Sequence, residues 1–405
     1  MKLLLKNKIL WIAALGYFVD LYDLVLYGVV RVQSLKDLHV PETEFFSVGA
    51  NLLSDQMMGM LLGGLVWGIL GDKKGRKTAL FGSIFLYSLA TLLNAFVQTV
   101  PQYAVVRFLA GFGLAGELGA AITLAIEVLP TTKRGLGAAM IASIGFMGAA
   151  LASYLAQSIS WQHAFLSGGI LGIFLLLARM NFLESALYTS ARQTSKTPWG
   201  SLKLLFSSKS RIVRFTLCFL MGLPIWYVAG ILGYFSPELA KAFHVQGDIS
   251  AGTVIMLGYL GSIIGDVLCG LLSQKLQSRK KAIFAFLLFG ATTSILHVFW
   301  MENASTTSFY ATRFAIGLSN GYMAVLIAWI AELFGTNLRV TATTLVSNLM
   351  RASVTPLIAA LKFLIPIAGL LNASFYIGIF CFGWSLLAVS MLSETFHREI
   401  NFEEV

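Results

Sequence analysis

Charged residues make up only 12% of this 405-residue chain, against 57% hydrophobic residues, and the mean hydropathy is +0.78. So little polar surface cannot solvate a globule of this length, which excludes a soluble enzyme and implies many passages through a bilayer. Acidic groups are scarcer than basic ones, 19 against 29, leaving a net charge of +10. A basic surplus can mark a nucleic-acid binder, but here Lys and Arg occupy short stretches between apolar runs rather than one continuous face, so nucleic acid is not an expected partner. The three cysteines, Cys218, Cys269 and Cys381, fall in three different apolar runs without metal-ligand spacing. They read as small hydrophobes, with no disulfide and no metal site expected. No Walker loop, His/Glu metal spacing or Gly-x-Ser-x-Gly elbow occurs, so no cofactor and no enzymatic activity are expected, and any work done must draw on a gradient rather than ATP.

The apolar runs divide into twelve spans, at about residues 9–33, 46–70, 78–98, 102–128, 136–157, 163–183, 212–235, 251–273, 282–300, 308–333, 340–364 and 371–392. An even number of spans puts both termini on one face. That face collects 22 Lys and Arg and the other only Arg31, Lys36 and Lys241, with Arg107, Arg313, Arg351 and Lys362 inside the membrane. The positive-inside rule then sets both termini in the cytoplasm. The first run starts basic like a signal peptide, but it is too long, carries Asp20 and Asp23 and lacks a small-residue cleavage site, so it reads as a retained helix. Such a chain suits a bacterial inner membrane.

Two segments set an offset of about 205 residues. Arg107-Phe-Leu-Ala-Gly111 lies over Arg313-Phe-Ala-Ile-Gly317, and Glu127 through Arg134 lies over Glu332 through Arg339 with the seven-residue spacing kept. Leu183-Glu184-Ser185 and Ser393-Glu394-Thr395 follow the sixth and twelfth spans alike. The chain therefore reads as an all-α membrane protein of two six-helix repeats. The expected divisions are a first bundle at 1–183, a linker at 184–211 with an interfacial helix at 198–206, a second bundle at 212–392 and a tail at 393–405. Parallel six-helix repeats with a site near the midplane suit a secondary transporter that rocks about that site.

Between the second and third spans stands Gly68-Ile-Leu-Gly71-Asp72-Lys73-Lys74-Gly75-Arg76-Lys77, a tight basic turn at a membrane face. It resembles the loop 2–3 signature of the major facilitator superfamily, with every specified position filled. The second half keeps only Gly270-Leu-Leu-Ser-Gln-Lys275. Gly16, Asp20, Asp23, Tyr27 and Gly28 on the first span, with Gly116 and Glu117 on the fourth, resemble the metabolite:proton symporter, sugar-porter and aromatic-acid:proton branches. Asp20 stands where a glutamate is usual, Ala115 replaces one glycine, and 183–186 is a weak form of the sugar-porter Pro-Glu-Ser motif, which disfavours a sugar. The resemblance implies the twelve-helix fold, a monomer, and a gate on the cytoplasmic side in which Gly68 and Gly75 shape the turn and ion pairs among Asp72, Arg76, Glu127, Arg134, Glu184, Glu332, Arg339 and Glu394 form the latch.

A charge at mid-bilayer costs at least about 2.5 kcal/mol on insertion scales, so each one lines a wet cavity, pairs or snorkels. Gly16, Asp20, Asp23, Tyr27 and Arg31 fall three or four residues apart, on one helical face. Two carboxylates on that face suggest a pathway, and an aspartate that exchanges an arginine for a proton can couple transport to the proton gradient. Arg107, at comparable depth, is the partner favoured for Asp23, as the sugar-porter resemblance also suggests; its counterpart Arg313 is expected to snorkel. Arg351 lies too deep to snorkel. It favours a carboxylate-bearing or zwitterionic substrate, or else a fixed ion pair with Asp266. Asp55 and Glu117 stand open between pathway and structural pairing. Trp226 and Tyr227 beside Pro224 are candidates to close over substrate, or plain packing. Lys362 is near enough to a helix end to snorkel.

The expected activity is proton-coupled symport of a small organic acid or zwitterion by alternating access. The alternatives are proton-antiport export of a metabolite, siderophore-like compound or drug, and a transport-dead sensor or scaffold. The intact loop signature and the intramembrane charges argue against a scaffold.

Overall fold

The computed structural model describes residues 8–130, 133–178 and 199–404. Among them lie ten helices long and apolar enough to cross a membrane. One of these, Arg339–Met391, runs for 53 residues, more than twice what a bilayer needs. It is two spans joined at Gly369, whose φ of 77° and ψ of 164° break the helix. With Arg76–Asn94, twelve spans result, matching the number read from the apolar runs.

We number them α1 (Lys8–Asp37), α2 (Phe45–Lys74), α3 (Arg76–Asn94), α4 (Val100–Leu114 continued by Glu117–Val128), α5 (Arg134–Leu155) and α6 (Trp161–Ala178) in the first half. In the second half α7 is Lys209–Met221, Leu223–Trp226 and the π-helical stretch Tyr227–Gly233; α8 is Ala251–Leu276, α9 Arg279–Trp300 and α10 Thr306–Ser319 continued by Met323–Leu333. Finally α11 runs from Arg339 to residue 368 with an interruption at Ser353, and α12 occupies 370–391. Helix starts follow ordinary capping chemistry. The hydroxyls of Thr99, Ser250, Ser278 and Ser305 accept from backbone N–H groups three residues on, satisfying donors the helix leaves open.

The breaks repeat as the sequence does. α4 is interrupted at Ala115 and Gly116 and α10 at Asn320, Gly321 and Tyr322, about 205 residues apart. In α7, Pro224 cannot donate a backbone hydrogen bond and the helix widens to π geometry from Tyr227, a distortion that often accompanies function. The anticipated interfacial helix at 198–206 shrinks to Leu202–Leu205, and Gly200 donates to the Asn337 carbonyl at 3.0 Å under the α10–α11 turn.

The face that carries the chain ends and most basic residues, the basic face, is sealed by helices from both halves. Along α2, Gly64 abuts Asn348, Gly68 abuts Thr341 and Gly71 abuts Val340 of α11, a seam of eight residues or about 12 Å. The Asn348 amide donates to the Ala115 carbonyl at 2.8 Å, in the break of α4. α5 seals against α8, with Gly270 against Ala139, and its small-residue ridge also takes Tyr17 and Phe18 of α1 onto Gly145 and Gly148. The opposite, far face is joined more thinly, by Arg31 to Glu238 at 3.0 Å, by Phe46 to Phe235 with ring centroids 4.8 Å apart, and by Lys362 over the Phe46 ring at 5.8 Å.

The α2–α3 turn is made at Gly75, with φ 106° and ψ 152°, a conformation L side chains rarely adopt. Gly75→Ala should therefore cost about 1–3 kcal/mol, read as a lower unfolding temperature in detergent. Equal stability of the two proteins would show that the turn relaxes at no cost.

Candidate transport pathway and its latches

The core of the bundle holds two arginine–aspartate pairs on successive turns of α1. Asp20 meets Arg351 of α11, Oδ2 to Nη2 at 3.1 Å, with both side chains fully buried. This contact crosses between the halves. Arg351, favoured from sequence for substrate, is thus held in an ion pair, and with Asp20 rather than with the alternative partner Asp266, which instead accepts the Ala324 N–H at 3.1 Å, at the start of the lower segment of α10, where helix-end N–H groups favour a carboxylate. Arg351 also lies 5.8 Å from the Trp226 ring, placing that predicted residue beside it. Tyr17 is within reach of the same guanidinium, and Glu117, fully buried at the start of the lower segment of α4, lies within electrostatic range of Asp20 and accepts from the Ser83 hydroxyl at 3.3 Å.

Asp23 and Arg107 are together, as expected, at 3.9 Å between Oδ1 and Nη1. That is longer than the 2.7–2.9 Å of a charge-assisted hydrogen bond. The short contact to Oδ1 comes from the Thr91 hydroxyl at 2.8 Å, while Oδ2 has no partner among the described residues. The Arg107 guanidinium makes no hydrogen bond among the described residues; it lies 5.3 Å from the Tyr27 ring and 5.5 Å from Phe165. Tyr27 is thereby a wall for Arg107, since its hydroxyl is spent on the Gly49 carbonyl at 2.9 Å.

Two predicted substrate contacts stand apart from these pairs. Tyr227 turns toward α12, its hydroxyl against Gly378 and its ring edge on Phe382, because the π stretch rotates it off the central face. Asp55 is half-buried on α2 and forms no ion pair among the described residues. Arg313, expected to snorkel, is buried instead and lines a small cavity bounded by α7, α8 and α10. Tyr234 and Tyr259 line it too and lie within electrostatic range of Arg351.

The basic-face latch is built partly from ion pairs and partly from helix caps. Asp72 accepts from the N–H of Val340 at 3.3 Å, the N–H of Thr341 at 2.8 Å and the Thr341 hydroxyl at 2.6 Å. One carboxylate at the end of α2 thus caps α11 of the other half and complements its dipole. Glu127 and Arg339, buried, pair across the halves at 3.4 Å. Glu332 pairs not with Arg134 but with Arg279 at 3.1 Å, and takes the Thr395 hydroxyl at 2.7 Å. Arg134 meets no acid at ion-pair distance among the described residues. Glu394 is a cap rather than a latch pair: it accepts from the Ser278 hydroxyl and from the N–H groups of Arg279 and Lys280 at 3.0 and 3.2 Å. Burial pushes its carboxyl up, but the Ser278 bond and three backbone N–H groups outweigh that and hold it below the usual range. Its contribution is therefore present above the ordinary glutamate pKa and fades as pH falls through the depressed one. Glu184 and the Arg76 side chain lie outside the described residues. Arg279 was not singled out by sequence, since nothing local distinguishes it from Lys280 and Lys281.

Residues 13–360 match the Major Facilitator Superfamily. The chain belongs to that superfamily. A "Probable 4-methylmuconolactone transporter" of Cupriavidus pinatubonensis is 26% identical over 99% of this chain and 93% of its own length. A 3-(3-hydroxy-phenyl)propionate transporter of Escherichia coli is 28% identical over 72% of this chain and 71% of its own. The proton:xylose symporter XylE, solved with 6-bromo-6-deoxy-D-glucose, shares the fold with a TM-score of 0.75 at 15% identity, covering 96% of each chain. This member is thus a multi-pass membrane transporter and not an enzyme.

Two outcomes test the latches. Asp72→Asn should loosen the α2–α11 seam, so that a cysteine placed at Thr344, buried against Gly119, reacts faster with maleimide in the variant; equal rates would remove Asp72 from the latch. Arg351→Gln alone strands Asp20 and should cost about 3–5 kcal/mol, whereas Asp20→Asn with Arg351→Gln should regain part of it. Additive losses in that thermal-unfolding cycle would mean that the pair is not coupled.

Proposed function

We propose that this protein is a proton-coupled symporter that imports a small organic acid or zwitterion by alternating access, with the basic face in the cytoplasm of a bacterial inner membrane. The observation that carries this is the dehydrated Asp20–Arg351 pair, because it joins the two halves and because Tyr234 and Tyr259 of the Arg313 cavity lie within electrostatic range of its guanidinium. A proton on Asp20 replaces the ion pair by a neutral acid next to a lone guanidinium. Breaking a buried pair changes its energy by several kcal/mol, and about 1.4 kcal/mol already shifts an equilibrium between two conformers tenfold. Protonation there can therefore bias the rocking of the halves.

Asp23 is the second proton carrier in this reading. Its 3.9 Å contact with Arg107 and its unpartnered Oδ2 leave little to displace when a proton arrives. Glu117, buried near Asp20, extends the acidic tract, and Asp55 opens toward the far side. Arg351 with Trp226 forms the second-half wall of the pathway. The preference for an organic acid follows from the three buried arginines along the tract and agrees with the cargoes named for the two relatives. Asp72, Glu127 and Arg339 act as the cytoplasmic gate, which must part to release cargo inward.

The test is uptake into proteoliposomes under an imposed inward proton gradient, screening labelled monocarboxylates, amino acids and sugars. Asp23→Asn should abolish gradient-driven accumulation while leaving counterflow exchange, and Asp20→Asn should do the same. Accumulation unchanged in both variants would remove proton coupling from these residues; sugar uptake without acid uptake would overturn the cargo class.

A further inference from the structure

A serine or threonine hydroxyl inside a helix ordinarily turns back onto the carbonyl four residues earlier. Ser54, Ser153, Thr292 and Thr293 all do so here, at 2.9 or 3.0 Å. Thr91 of α3 does not: its hydroxyl crosses to α1 and donates to Asp23 Oδ1 at 2.8 Å. Packing fixes that choice. A Cβ added at Gly168 of α6 would meet the Thr91 Cγ2 at 3.3 Å, so the methyl is seated against α6. A β-branched side chain is stiff about its first torsion, and seating the methyl settles where the hydroxyl points.

Among the described residues Thr91 is the only hydrogen-bond partner of Asp23. Arg107 approaches the same Oδ1 only to 3.9 Å. The other titratable groups within electrostatic range are Asp20 and Tyr22 on α1 and Tyr103 on α4; α3 carries Tyr87 one turn before Thr91, and α6 brings Phe165 to Arg107. A guanidinium only donates, so Arg107 suits the carboxylate and has nothing to offer the O–H of the carboxylic acid. The Tyr22 hydroxyl is engaged with the Ala164 carbonyl and Ser167, and that of Tyr103 with Ser34. A threonine hydroxyl both gives and takes a hydrogen bond.

We propose that Thr91 is a positioning residue for proton coupling, holding the Asp23 side chain in both protonation states while Arg107 is bound and released. This rests on the reading of Asp23 as a proton carrier and names the group that makes the exchange reversible. With Asp23 ionised, the Thr91 hydroxyl donates to Oδ1. When a proton binds the carboxylate, the new O–H donates to the Thr91 oxygen, and the threonine proton turns to the Tyr87 carbonyl four residues back, the bond that other helical hydroxyls already make. A hydrogen bond to Asp23 survives protonation, and what changes is the charge that Arg107 meets. Asp20 has no hydroxyl partner among the described residues and is bonded directly by Arg351 at 3.1 Å, so a proton there must displace a cation.

The experiment needs no cargo: infrared difference spectroscopy follows the carbonyl stretch of the protonated Asp23 carboxyl while the purified full-length protein, in lipid, is titrated with acid. The band is assigned by its loss in Asp23→Asn. Thr91→Val keeps the shape and the methyl and removes the hydroxyl, so the carboxylate retains Arg107 as a partner and the acid retains none. The midpoint of the band should then fall by about one pH unit, a tenfold loss of proton affinity, and the band should move to higher frequency as the acid loses its hydrogen bond. Thr91→Ala should do the same, which keeps the test decisive where one variant folds poorly, and Thr91→Ser should titrate like the parent. A midpoint unchanged or raised without the hydroxyl, or a Thr91→Ser protein that titrates like Thr91→Val, overturns the assignment and leaves Asp23 standing as a proton carrier. A parent with no Asp23-dependent band overturns the carrier reading and the assignment with it.

Discussion

Inside a bilayer a charge without water must find a partner, and the choice of partner decides which helices stay together. In this bundle that constraint is met most fully at Asp20 and Arg351, where α1 of one half holds α11 of the other. Its two members come from the two halves, and Tyr234 and Tyr259 on the cavity wall lie within electrostatic range of the guanidinium. Everything nearby is arranged around keeping it dry: Trp226 covers the guanidinium, Tyr17 lies against it and the α2–α11 seam closes it from the basic face.

The two faces are closed by different physics. On the basic face, backbone approaches backbone along small residues, and Asp72 caps a helix of the opposite half with three hydrogen bonds. Such a seam is either made or broken, which suits a gate with two states. On the far face the joins are long side chains reaching across, as with Arg31 to Glu238 and Lys362 over Phe46. These yield one contact at a time. The asymmetry agrees with the sequence, in which the loop signature is complete in the first half and degraded in the second.

Repeat symmetry and its breaking carry the functional logic. Helix interruptions recur at matching places in α4 and α10, and an arginine stands at the same distance from the start of each of those helices. The symmetry fails where cargo is expected: α1 bears two carboxylates on its inner face, and the equivalent stretch of α7 bears none and winds as a π-helix instead. The first half thus sets an acid against Arg107, and the second half sets none against Arg313 among the described residues.

Much of this was legible from residue order because membrane helices need few rules. Apolar length gave the spans, and the Asp23–Arg107 pairing followed from depth along each helix. What spacing along one helix does not contain is rotation about its axis relative to a neighbour. That rotation sends Tyr227 toward α12, commits Asp20 rather than Asp266 to Arg351, turns Glu394 into a cap for α9 and buries Arg313 against a cavity. Sequence by itself determined the class of molecule and the number of crossings, because the cost of dehydrating polar groups acts on each segment alone. Only the tertiary structure decided which charges meet, because pairing depends on packing between helices hundreds of residues apart.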